Sequence, residues 1–116
     1  MKTALLVALA ILASPLAHAG GDMAAGATKS KPCAACHGAD FNTPISAEIP
    51  RLAGQHADYI ARTLTDYKTG ARKNALMAGQ AAALSPQDIQ DLAAYFQSLS
   101  GKLKIIPLHR LAGATH

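Results

Sequence analysis

Apolar positions in this chain change their period several times. Ala57, Ile60, Ala61, Leu64 and Tyr67 recur at the i, i+3, i+4, i+7 spacing of one helix face, which predicts a helix over 56–69. Gly70 follows as its stop signal. A second stripe, Ile89, Leu92, Ala93, Phe96 and Leu99, predicts a helix entered through "SPQD". There Ser85 is the N-cap, Pro86 takes the first helical position and Asp88 completes a capping-box-like pattern. Gly101 ends it. Residues 22–31 read as a short helix capped by Asp22 and closed by Pro32. Gly26 in its middle costs about 1 kcal/mol against alanine, which a close helix crossing would justify. Between these stretches the period is lost. Residues 39–55, with Pro44, Pro50 and Gly54, read as a loop wrapping something. Residues 71–84 read as a second loop, with enough alanine for a partial helix. No internal repeat and no strand pattern stand out.

The first nineteen residues have a different logic. Lys2 supplies a positive start, Ala4 to Ala13 is an unbroken apolar run too short to span a bilayer, and Ala17-His18-Ala19 is a small-x-small cleavage pattern. Residues 1–19 are therefore expected to be a cleaved secretory signal peptide, a retained anchor being the alternative. No cysteine near that site suggests a lipid anchor. The mature domain is expected over 20–101. The tail Lys102–His116 has no clear period, and Pro107 argues against a helix through it.

Removing Lys2 leaves ten basic and seven acidic side chains, a formal charge of +3. That is mildly basic, without the dense Lys/Arg stripe of a nucleic-acid binder. It suits docking to an acidic protein partner. The chain has no tryptophan, two phenylalanines and three tyrosines, and much of its apolar content is alanine. So short a domain is already poor in buried surface. Small exported domains compensate with several disulfides or a metal. Here there are two cysteines, three apart, which cannot cross-link distant segments.

Those cysteines lie in "CAACHG", residues 33–38. Cys33, Cys36 and His37 stand at i, i+3 and i+4, positions that share one face of a helical turn. C-x-x-C-H is the attachment signature for c-type haem. Two thiols add to the porphyrin vinyl groups, and the imidazole binds iron from below. The macrocycle would also supply the large flat apolar body that the side chains lack. A redox disulfide would expect a βαβ context. A zinc site would need two more ligands, and His56, His109 and His116 form no pair. A structural disulfide closing so small a loop would stabilise little. For the sixth iron ligand the mature chain offers Met23 and Met77. Met23 leads directly into the haem turn and is badly placed for the opposite face. Met77 lies forty residues past His37, between two helices, and can cross the ring. Methionine/histidine ligation raises the potential and saturates the iron, favouring electron transfer over oxygen chemistry.

Taken with "IPRLAGQHADYI", "DYKTGARKNALM" and "LSPQDIQDLAAYF", the signature resembles a class I cytochrome c. It is most similar to a single domain of the tandem dihaem cytochromes of the c-four type and to their monohaem relatives. The resemblance spans about residues 21–99. It implies an all-α class I cytochrome c fold, helices packed around one covalently attached haem c. It also implies thioether links at Cys33 and Cys36, and His37 and Met77 as cofactor-binding and metal-binding axial ligands. The Pro50 carbonyl would accept the His37 Nδ1–H and fix its tautomer, the alternative being an ordinary turn proline. Gly26 and Tyr95 match the family's crossing of N- and C-terminal helices, although the helical period alone would choose Phe96. Tyr59, Arg72 and Asn74 are candidates for the haem propionates; Lys68, Arg72 and Lys73 for a basic rim near the haem edge.

Three departures stand out. Many relatives carry proline two residues before the ligand methionine, where this chain has Ala75. A second C-x-x-C-H is absent, and the tail lies outside the pattern. The expected function is that of an exported, periplasmic carrier of single electrons, with no catalytic residues of its own. Expected partners are larger redox proteins such as a respiratory dehydrogenase, a cytochrome complex or a terminal oxidase. Neither nucleic acid nor stable membrane insertion after cleavage is expected. The alternatives are an electron-transfer subunit of a larger oxidoreductase, or a haem enzyme or sensor if Met77 leaves the iron easily.

Overall fold

The computed structural model describes residues 20–103. The expected signal peptide and all of the expected tail beyond Leu103 lie outside the described residues. Among the described residues five α-helices follow one another: α1 Met23–Lys29, α2 Ala34–His37, α3 Ala57–Thr69, α4 Ala75–Ala82 and α5 Pro86–Ser98. A 3-10 turn, Lys31–Cys33, joins α1 to α2. Among the described residues there is no strand.

Local chemistry accounts for the helix starts. The Asp22 carboxylate accepts from the amides of Ala24 and Ala25, at 2.8 and 3.0 Å. At α5 the expected capping box is complete: the Asp88 amide donates to Ser85 Oγ at 3.0 Å, and the Ser85 amide to Asp88 Oδ2 at 2.8 Å. Gly70 ends α3 as expected. α1 ends at its C-cap Ser30, two residues before Pro32. Pro32 sits in the first turn of the 3-10 segment, where its missing N–H matters least, and the chain runs straight on into α2.

One element exceeds its expectation. Residues 75–82, read as part of a loop with helical leanings, form a full two-turn helix. Asn74 is the reason: its side chain caps α4 by accepting from the Met77 amide at 2.9 Å.

α5 is the central strut, packed against α1 on one side and α3 on another, and α3 also holds α4. At the α1–α5 crossing a Cβ on Gly26 would lie 2.1 Å from the Asp91 carbonyl oxygen and 2.7 Å from Tyr95 Cβ. The glycine thus serves the expected close approach, and Tyr95 is the aromatic residue facing it. Phe96 turns into the core instead, with Phe41, Ala53, Ile60, Leu92 and Ala93. Phe41 belongs to the 39–55 loop. Its ring meets Phe96 edge-on at 4.9 Å and Tyr95 at 6.1 Å between centroids. The loop is therefore anchored in the core although it has no helical period. Asn42 ties it to the end of the domain, donating to the Ser100 carbonyl at 3.1 Å and accepting from the Lys102 amide at 2.9 Å.

Candidate functional site

The "CAACHG" segment forms the 3-10 turn and the short helix α2, so Cys33, Cys36 and His37 share one turn as their spacing predicts. Both thiols are half-buried and His37 is buried, 6% exposed. Gly38 ends the turn with φ +88°, a conformation open to glycine, and a Cβ there would lie 2.2 Å from the Thr43 carbonyl oxygen. The chain can therefore fold back at once. The reversal is fixed by Asp40, whose carboxylate accepts from the amides of Asn42 and Thr43, each at 2.9 Å. The Asn42 amide bond, first among several, holds the Asp40 carboxyl below its ordinary value. The amides of Leu52 and Ala53 then donate to the Phe41 carbonyl at 2.9 and 3.1 Å.

This wrapping brings the Pro50 carbonyl to 2.8 Å from His37 Nδ1. A carbonyl oxygen can only accept, so Nδ1 carries the hydrogen and donates it. The Nε2 lone pair is then left for another partner.

Cys33, Cys36 and His37 open onto a cavity of about 850 Å³. Its other walls include Ile60, Leu64 and Tyr67 from α3, Leu76 and Met77 from α4, and Leu92 and Phe96 from α5. Met77 and His37 thus line the same space from elements forty residues apart. Met23 is 55% exposed on the outside of α1 and is not among the lining residues. His56, a possible alternative ligand, is exposed at the start of α3 and does not line the cavity either. His109 and His116 lie outside the described residues.

The candidates for a polar edge divide. Tyr59, Arg72 and Asn74 all line the cavity. Arg72 Nη1 donates to Tyr59 OH at 3.4 Å, and its guanidinium carbon lies 5.1 Å from the Tyr67 ring centroid. Asn74 spends its carbonyl oxygen on the Met77 amide. Lys68, grouped with Arg72 and Lys73 as a basic rim, instead donates to the backbone carbonyls of Ala82 and Leu84, at 2.8 and 2.6 Å. Asn74 as a cap escaped the sequence reading although its signal was there: asparagine directly before the alanine-rich run 75–83 is a helix start. Lys68 left no such trace, because its acceptors are backbone atoms fourteen and sixteen residues away.

The arrangement can be tested against the rival chemistries. Burial pushes the Cys33 thiol above its ordinary value, with the neighbouring Cys36 adding to the effect. A redox dithiol requires the opposite shift. Among the described residues no group of three His, Cys, Asp or Glu side chains is set to hold a metal ion by itself. A haem fits better. The cavity is within the roughly 300–1,000 Å³ usual for cofactor sites, is largely apolar, carries both thiols on its wall and presents an imidazole already oriented by a carbonyl.

A family model described as Cytochrome c matches residues 23–100. The chain is 49% identical over 83 residues to cytochrome c4 of Pseudomonas aeruginosa, a match covering 72% of this chain and 41% of that protein. It is 43% identical over 81 residues to cytochrome c-554(548) of Halomonas halodenitrificans, covering 67% of this chain and 96% of the relative. A protein named thiosulfate dehydrogenase electron acceptor, from Stutzerimonas stutzeri, is 43% identical over 67 residues, covering 58% of this chain and 31% of its own length. Among solved structures, reduced recombinant cytochrome c4 from Pseudomonas stutzeri superposes with a TM-score of 0.66 at 40% identity, over 72% of this chain and 48% of that one. This chain spans about half the length of the cytochrome c4 relatives it matches. With the family model covering most of the described residues, and with Cys33 and Cys36 in place for the C-x-x-C-H motif, the chain belongs to the cytochrome c family and takes one covalently attached haem c.

Proposed function

We propose that this chain is an exported monohaem cytochrome that passes single electrons between larger redox proteins, with His37 and Met77 as axial ligands and thioethers at Cys33 and Cys36. The observation that carries this reading is one cavity lined by both cysteines, a pre-oriented histidine and Met77. The haem iron, when bound, supplies one-electron exchange between its ferric and ferrous states. The protein's part is positional. The Pro50 carbonyl holds the His37 ring by Nδ1, which fixes its tautomer and raises its basicity as a ligand. Met77, on the same cavity wall, would supply the second protein ligand to the iron and keep water from it. Leu64, Leu92 and Phe96 keep the walls apolar, which limits the rearrangement of solvent when charge changes. Arg72, steadied by Tyr59 and Tyr67, offers a cation to the propionates.

Export and a periplasmic location rest on the signal-peptide pattern of residues 1–19. Among the described residues no helix is long and apolar enough to cross a membrane. The partner reading draws on the relative named thiosulfate dehydrogenase electron acceptor, which also favours a second role as the electron-transfer subunit of a dehydrogenase. Isolation of the native protein separates the two: a carrier purifies alone, a subunit with its dehydrogenase.

Replacing Met77 tests the ligand set. Met77→Ala should retain covalent haem after extraction into acidified organic solvent, lose the near-infrared methionine–iron band of the ferric protein and lower the potential. Met23→Leu should change neither. A band that survives Met77→Ala, or vanishes in Met23→Leu, rules out the assignment. Cys33→Ala with Cys36→Ala should abolish covalent attachment.

A further inference from the structure

Helix α4 rests on α3 and is held at both ends by polar groups. It has eight residues and buries only one of them, Ala81, completely. Leu76 is 62% exposed, and a Cβ on Gly79 would meet nothing within 4 Å. A two-turn helix of this kind is not stable by itself in water. Ala75 also lacks the ring that would stiffen its first turn.

Two side chains outside the helix secure its ends. Asn74 Oδ1 accepts from the Met77 amide at 2.9 Å, satisfying an otherwise orphan donor of the first turn. At the other end Lys68 reaches across from the last turn of α3, and its ammonium donates to the carbonyls of Ala82 and Leu84, at 2.8 and 2.6 Å. These bonds satisfy acceptors where the helix ends and set a positive charge at the negative end of its dipole. The first contact is made by the backbone of Met77 itself.

We infer that Asn74 and Lys68 form a clamp that positions Met77 on the haem iron, supplying the stiffness that a proline at position 75 would otherwise give. Both are positioning residues, acting through α4. The inference rests on Met77 being an axial ligand. Opening the iron to an added ligand requires α4 to shift, so whatever holds α4 sets the affinity for that ligand.

The experiment is an imidazole titration of the purified ferric holoprotein, followed in the haem spectrum and the near-infrared methionine–iron band. Loss of a helix cap weakens the closed state by an amount equivalent to about a fivefold change in equilibrium. Asn74→Ala and Lys68→Met should each raise imidazole affinity about fivefold, and the double variant further. Asn74→Ser and Lys68→Arg, which keep the hydrogen bonds, should return it toward wild type. Gly26→Ala, which loosens the molecule at the α1–α5 crossing, should leave the affinity unchanged. Wild-type affinity in the double variant overturns the clamp. So does a rise in Gly26→Ala equal to that of the clamp variants, since general loosening would then explain the effect. Failure of the ligand reading has its own signature: a wild-type protein without the methionine–iron band, or a band that survives Met77→Ala, which removes the clamp's object as well.

Discussion

At Gly26 the absence of one methyl group decides how closely α1 and α5 approach. Alanine would improve the intrinsic propensity of α1 by about 1 kcal/mol. Its Cβ, however, would meet the backbone carbonyl of Asp91 at 2.1 Å, and a backbone atom cannot swing aside. Overpacking of this kind costs about 1–3 kcal/mol, so Gly26→Ala should lower the melting temperature despite its better propensity. A variant as stable as wild type in thermal melts followed by circular dichroism would show that the crossing has slack. Phe41 is the converse case. Its backbone sits at φ +53°, an uncommon conformation for a residue with a side chain, and it is held there by a buried ring packed on Tyr95 and Phe96.

Between elements, α1 and α5 are joined by charge as well as by close approach. Lys29 Nζ lies 2.7 Å from Asp88 and 2.6 Å from Asp91. Asp91 is buried at the crossing, and its other oxygen accepts from the Asp22 amide and the Gln87 side chain, each at 2.8 Å. The Lys29 hydrogen bond is the main reason that both carboxyls lie below their ordinary value of 3.8, Asp88 at about 2. A carboxylate whose folded value is depressed adds stability above its unfolded value, and that stability is lost as pH falls through the folded value. The clasp should therefore weaken between about pH 4 and pH 2. Asp88→Asn should flatten the loss of melting temperature across that window relative to wild type. Parallel acid profiles for the two proteins would show that the clasp does not couple to folding.

For the molecule as a whole, the core is small. The buried apolar residues described are Phe41, Ala53, Ile60, Ala81, Ile89, Leu92, Ala93 and Phe96, three of them alanines. Leu64 and Tyr67 of α3 and Leu76 and Met77 of α4 line the cavity without being buried, and a haem there would complete their burial. Haem-free polypeptide, prepared from Cys33→Ala with Cys36→Ala by extracting any unattached haem, should be largely unfolded by far-ultraviolet circular dichroism and should melt without cooperativity. Native-like helicity and a cooperative transition in that chain would mean that the side chains suffice.

Features governed by neighbours in the chain were legible in the sequence alone. The α3 and α5 stripes, the Ser85 capping box, the Asp22 cap and the shared face of Cys33, Cys36 and His37 all depend on spacings of two to four residues, which local geometry converts directly into structure. The C-x-x-C-H signature belongs to this class, and with it the cofactor. The length of α4 was half-legible: its cap at Asn74 is local, but its other end depends on Lys68 arriving from another helix. Contacts across long stretches of chain waited for the tertiary structure. That Phe96 turns inward while Tyr95 meets Gly26 follows from how α5 is rotated against α1, and period alone favoured Phe96. The burial of Phe41 inside an aperiodic loop, and the union of Lys29 with Asp88 and Asp91, likewise depend on where whole elements come to rest. Local chemistry sets what each segment can form; burial and packing among distant segments select which of its faces is used.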